Sequence, residues 1–176
     1  RLVVLINDII RLSQLDEGGQ LPAEPVDLQD LALETVRSLT ELAAGRNVTL
    51  TAVGTTAPMT GVRRLLAETV YNLCENAVKY NVPGGSVTVE TGETAQDVTL
   101  TVRDTGIGIP AAEQSRVFER FYRVDKSHSR AIGGTGLGLS IVKHAVAYHH
   151  GAIQLESEPG KGTVVTVTLP KERPAE

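Results

Sequence analysis

The chain of 176 residues is 41% hydrophobic and 22% charged, enough apolar material for one buried core and the wrong balance for a disordered or fibrous chain. Its formal net charge of −4 supplies no general basic field for nucleic acid, so any anion site must be local. The single cysteine, Cys74, excludes an internal disulfide and a cysteine-rich zinc site, and no apolar run reaches the roughly 18 residues of a membrane span.

Leu2, Leu5, Ile6, Ile9, Leu12 and Leu15 recur at helical spacing, and Gly18-Gly19 supplies a stop. This apolar stripe needs a partner, which predicts that residues 1–19 are the tail of a helical bundle or coiled coil. With no initiating Met and no signal peptide, the sequence reads as a cytoplasmic piece of a longer chain. Residues 20–26 read as a linker, and the domain proper is expected over 27–171. A helix fits Leu28 to Ala44, with Asp27 as N-cap and Gly45 as stop, and VTLTAVG then reads as a strand. The next helix is predicted from Val62 to Tyr80, closed by the turn NVPGG.

SVTVETG and DVTLTVRD alternate around a short polar connection, the pattern of a hairpin. Residues 104–136 are rich in Gly, Arg and Ser and lack periodicity apart from a short helical piece near Glu113 to Phe118. A connection of that length in a compact domain predicts a functional lid. A last helix is expected from Leu137 to His150, capped by Gly151. The strands AIQLESE and TVVTVTLP, joined at PGKG, complete the domain before a fraying tail at 172–176. This order predicts an α+β two-layer sandwich, with a mixed, mostly antiparallel sheet and helices on one face.

Four stretches carry chemistry. In NLCENAVKYN, Leu66, Val70, Leu73, Ala77 and Tyr80 make one helical stripe, while Asn72, Asn76 and Lys79 make a second about a quarter-turn round. That second stripe is either a solvated face, which Glu68 and Glu75 would suit, or amide oxygens aimed at a metal and an ammonium aimed at phosphate. Cys74 reads as core. In RDTGIGIP, Asp104 ends a strand beside Gly106 and Gly108. The stretch is either a plain turn or a carboxylate able to accept from an exocyclic amine while a flat ring lies on bare backbone.

Between Arg116 and Arg130, the five basic residues Arg116, Arg120, Arg123, Lys126 and Arg130 face only Glu119 and Asp125. That local excess suits an anion or a solvated loop, and Phe118, Phe121 and Tyr122 supply a possible latch. GGTGLGLS has the glycine spacing of a Walker A loop but Leu139 in place of its lysine, and it leads into a helix N-terminus that favours phosphate.

NLCENAVKYN, DTGIGIP, FERFYRVD and GGTGLGLSI resemble, in order and spacing, the N, G1, F and G2 boxes of the catalytic ATP-binding domain of sensor histidine kinases. The resemblance covers about residues 24 to 170, and RLVVLINDIIRLSQLDEGG resembles the end of that family's dimerisation and phosphotransfer helix. It implies the Bergerat fold with ATP and Mg²⁺ as ligands. Asn76 then holds the metal, Asn72 stands near the phosphates and metal, Lys79 contacts phosphate, and Tyr80 lies beside the nucleotide. Asp104 reads the adenine amino group, and Gly106, Gly108 and Ile109 shape that pocket, the two glycines also hinging the lid. Arg123 approaches the terminal phosphate, and Gly134, Thr135, Gly136, Leu137 and Gly138 bring backbone N–H groups to the phosphates. Asn72, Lys79 and Arg123 are the implied catalytic residues.

In related ATPases a glutamate at the position of Asn72 activates water. An amide is no such base, which implies holding ATP for an acceptor rather than hydrolysing it. The acceptor histidine is absent, since His128, His144, His149 and His150 lack its context and are expected to pack or face solvent. These residues alone are therefore expected to bind ATP without phosphorylating themselves. The implied partners are the protein's own dimerisation domain, as a homodimer in the full chain and a monomer for these residues alone, and a response-regulator receiver domain. Nucleic acid is not among them, and a bacterial membrane anchor is implied elsewhere in the full protein. Two rivals remain: a non-catalytic nucleotide-binding module, disfavoured by the intact N and G2 boxes, and an anti-sigma-type serine kinase, disfavoured by the helix at 1–17.

Overall fold

The computed structural model describes residues 21–124 and 135–172, together with the helical positions Val3, Ile6, Ile10 and Ser13. Those four are exposed; of the predicted stripe only Ile6 is among them, while Leu2, Leu5, Ile9, Leu12 and Leu15 lie outside the described residues, as does the tail at 173–176.

A small sheet opens the domain. Strand β1, Glu24–Asp27, pairs antiparallel with β3, Pro58–Gly61, setting buried Val26 against buried Met59. The expected linker thus ends in a strand. Pro25 and a four-residue length hide it in the sequence, because its partner lies more than thirty positions away.

Helix α1, Leu28–Gly45, begins where predicted. The Asp27 carboxylate accepts from the N–H of Gln29 at 2.9 Å and also from the N–H of Ala57 at 2.9 Å, so the cap fastens the lead into β3 as well. Helix α2, Arg63–Lys79, buries the pairs Leu65/Leu66, Thr69/Val70, Leu73/Cys74 and Ala77/Val78. This apolar stripe leaves Glu68, Asn72, Asn76 and Lys79 on the flank.

The main sheet comprises β2 (Thr49–Gly54), β4 (Ser86–Glu93), β5 (Asp97–Asp104), β6 (Ala152–Glu158) and β7 (Gly162–Pro170), in the order β2-β4-β5-β7-β6. Only β2 and β4 run parallel, which makes the sheet mixed and mostly antiparallel as expected. Alternation buries one side of each central strand. Val89, Val102, Val165 and Leu155 form one cross-strand row, and Val87, Asp104, Thr163 and Ser157 form the next, at the end of the sheet. α1, α2 and α4 (Gly138–Tyr148) supply the rest of the core.

Helix α4 is shorter than the sequence suggests. Its chain reverses at His150, which takes the left-handed φ of +57°, with the His150 N–H bonded to Ala147 O at 3.0 Å and the Gly151 N–H to Val146 O at 2.9 Å. This is a Schellman ending with histidine where glycine is the unstrained choice. Gly151 instead serves close packing, since a Cβ there would sit 2.5 Å from Thr168 O. His149 is buried. Its Nε2 accepts the N–H of Val62 at 3.0 Å, so its Nδ1 carries the hydrogen given to Ala145 O at 2.7 Å, and the end of α4 thereby secures the start of α2. The lid's expected helix near Glu113 to Phe118 is found one turn earlier as α3, Ala111–Gln114.

Candidate functional site

Between α2, the sheet and the lid lies a cavity of about 990 Å³. Its floor is the apolar row Val102–Val165–Leu155, and its far wall is the flank of α2. Asn72, Asn76, Lys79, Tyr80, Asp104, Gly108, Ile109, Arg123, Thr135, Gly136 and Gly138 all line it, so residues from four separated stretches converge as expected. Gly106 and Leu137 lie behind the wall: a Cβ on Gly106 would meet Tyr80 O at 2.4 Å, and Leu137 is fully buried beside Ile141. Gly134, together with Asp125, Lys126, His128 and Arg130, lies outside the described residues.

Asp104 is held with one oxygen committed. Its Oδ1 accepts the N–H of Gly106 at 2.8 Å and that of Thr163 at 3.2 Å, while no described residue donates to Oδ2, which is left for a donor in the cavity. Burial pushes this carboxyl above the usual aspartate range, against the lowering effect of those two N–H bonds. Gly108 has a φ of +70°, and a Cβ on it would lie 2.1 Å from Glu158 O. Close approach is thus a reason of its own for glycine at 106 and 108, because both press against neighbouring backbone where a side chain would not fit.

Along α2, the side chain of Asn72 donates through Nδ2 to Glu68 O at 2.9 Å. Its Oδ1 faces the start of α4, 3.0 Å from where a Cβ on Gly138 would stand. Lys79 is paired with Glu75 at 2.9 Å, one helical turn back, a contact legible in the i, i+4 spacing but not assigned there. At the end of α1, Arg46 donates from Nη1 to Lys79 O at 3.0 Å, tethering the C-terminus of α2. Cys74 is fully buried in the core, which pushes its thiol up to about 12.

The middle of the lid is tied to its far end. The Phe121 N–H bonds to Gly136 O at 3.0 Å, Phe121 takes a φ of +62° and Gly136 one of +75°. Arg116 stacks on Tyr122 with its guanidinium 4.2 Å from the ring centre, and Arg120 meets His144 Nε2 at 3.2 Å. α4 begins at Gly138 on the cavity wall, so the free N–H groups of its first turn are available to an anion. Sequence reasoning did not single out Thr163, Ser157 or Gln114. The first two follow from the register that sets them beside Asp104, the third from a hydrogen bond to a residue 43 positions away.

The family model described as "Histidine kinase-, DNA gyrase B-, and HSP90-like ATPase" matches residues 61–173, the span from the end of β3 through β7 that supplies most of the cavity lining. The chain belongs to this ATPase family. Its similarity to the family's sensor kinases is broad: it is 40% identical over 176 residues to the sensor-like histidine kinase SenX3 of Mycolicibacterium smegmatis, covering 97% of this chain and 45% of that protein. The mycobacterial sensor histidine kinase MprB superposes with a TM-score of 0.74 at 30% identity, covering 87% of this chain and all of that one. Full-length ShkA, solved in complex with AMPPNP, superposes with a TM-score of 0.85 at 25% identity, over 99% of this chain and 37% of that one. The chain spans less than half the length of the curated relatives it matches.

The fold it shares with these kinases is the Bergerat fold. A divalent metal is compatible with the donors present. Among the described residues no cluster of three Asp, Glu, His or Cys forms an all-protein site, whereas the amide of Asn76 on the cavity wall is a hard oxygen suited to Mg²⁺ that takes most of its ligands from phosphate and water.

Proposed function

We propose that the cavity binds ATP with its base against Asp104 and its phosphates at the start of α4, and that the γ-phosphoryl group passes to a histidine on an upstream helical domain. The observation that carries this reading is the row Asn72–Asn76–Lys79 lining the same cavity as Asp104, with an amide at Asn72 that cannot activate water. Oδ2 of Asp104 accepts from the adenine amine while the base lies on Val102, Val165 and Leu155. Asn76 would hold Mg²⁺, which would supply neutralisation of phosphate charge when bound. Lys79, released from Glu75, and Arg123 counter the charge that spreads over the transferring group.

An imidazole nitrogen of the acceptor bonds to the γ-phosphorus as the bond to the ADP oxygen breaks and ADP leaves, and the other ring nitrogen gives its proton to water. The fold contributes positioning rather than a base. The partners in this reading are the protein's own dimerisation and phosphotransfer domain, with the full chain a homodimer and its catalytic domain tethered to a membrane, and the receiver domain of a response regulator, whose aspartate takes the phosphoryl group onward.

The test combines this domain with ATP, Mg²⁺ and a separately made acceptor domain from the full protein. Wild type is expected to label one histidine and Asn76→Ala to label it far more slowly. Equal labelling by both overturns the role of Asn76, and labelling of a serine instead overturns the acceptor.

A further inference from the structure

The base-binding half of the cavity is fastened by one side chain outside all four motifs. Gln114, on α3, donates both of its amide hydrogens, one to Ile109 O at 2.9 Å and one to Ser157 O at 2.9 Å. Ile109 also donates its N–H to Ser157 Oγ at 2.8 Å, so both of its backbone polar groups are committed. Ser157 Oγ in turn meets Thr163 Oγ1 at 2.7 Å, and the Thr163 N–H is one of the two that hold Oδ1 of Asp104. A further bond from Gly160 N–H to Ile107 O, at 2.8 Å, closes the same seam.

We infer that Gln114 is a positioning residue for base recognition. It clamps the loop at Ile109 to β6, and through Ser157 and Thr163 it fixes the carboxylate that faces the cavity. The first part of the lid up to Val117, which lines the cavity, thereby belongs to the wall that holds the base. Donor chemistry is what matters at position 114. Both partners are carbonyl oxygens, which an amide NH₂ satisfies, a thioether ignores and a carboxylate repels.

This inference rests on the adenine-nucleotide reading of the site, and its test separates the two. ATP and ADP affinities are measured by calorimetry for wild type, Gln114→Met and Gln114→Glu, with thermal unfolding recorded for each. The expected order is wild type, then Met, then Glu, with the Met variant weakened about five- to tenfold for the one or two hydrogen bonds lost. ATP and ADP should fall by the same factor, because the base is common to both. Amide exchange at Ile109 should quicken in both variants while the melting temperature changes little.

A fall confined to ATP would place Gln114 in lid closure and overturn the inference. So would unchanged affinity in folded variants, or a loss of affinity matched only by a loss of folded protein. Failure of wild type to bind either nucleotide would overturn the reading of the site itself and this inference with it.

Discussion

Asp104→Asn exchanges one oxygen for an NH₂ and changes almost nothing else. The two backbone donors, at 2.8 Å from Gly106 and 3.2 Å from Thr163, keep the remaining oxygen of the amide where Oδ1 now stands. The new Nδ2 must therefore occupy the place of Oδ2 and point into the cavity, donor against the adenine amine. Losing a hydrogen bond to a charged acceptor costs about 1.5–3 kcal/mol, which corresponds to roughly a 10- to 150-fold rise in the ATP dissociation constant. Guanine carries a carbonyl at that position, so the preference for ATP over GTP should narrow in the same variant.

Stability should move the other way. Burial raises the Asp104 carboxyl in the folded protein, so the favourable protonated form contributes stability below the unfolded aspartate value, and that contribution is lost as pH rises through the folded one. At neutral pH the wild-type carboxylate is a burden that the amide lacks, and the variant should melt no lower than wild type. Wild-type ATP affinity should also decline as pH falls through the raised value, a limb absent from the variant. Calorimetric titration with ATP and GTP across pH, beside thermal melts, reads all of this. ATP affinity within twofold of wild type at neutral pH would refute the assignment of Oδ2 as the base acceptor.

Three other outcomes follow from local geometry. His150→Gly relieves the left-handed φ of +57° at the end of α4 and should stabilise the domain by about 1 kcal/mol in denaturant melts. Gly136→Val puts a branched side chain at a φ of +75°, with its Cβ 3.0 Å from the Phe121 carbonyl carbon, and should weaken ATP binding while the melt of the core stays near wild type. Cys74, buried with its thiol pushed up to about 12, should resist thiol reagents at neutral pH until the protein unfolds.

The long helices and the hairpins were legible because each satisfies its own periodicity: α2 buries adjacent pairs every four residues, and β4 and β5 alternate strictly. Convergence of the α2 flank with Asp104 was legible through the order of the four motifs rather than through any local pattern. What the chain did not display are contacts between distant backbones. β1 becomes a strand only because Pro58–Gly61 pairs with it, and His149 is fixed by an N–H 87 positions away. Gln114 belongs to the same class, since an amide in a short helix reads as surface until Ile109 and Ser157 are brought beside it. The pairing of Glu75 with Lys79 could have been inferred from spacing alone, and it changes the picture of Lys79 from a waiting ammonium to one that must exchange partners.

The central claim is that ATP spans this cavity from Asp104 to the start of α4. Backbone amide shifts during titration with ATP and Mg²⁺ test it most directly. The account predicts saturable changes at Gly106, Asn76 and Gly138 together, the last diminished when adenosine replaces ATP. Saturable binding whose shifts avoid both ends of the cavity, or no binding at all, would contradict it.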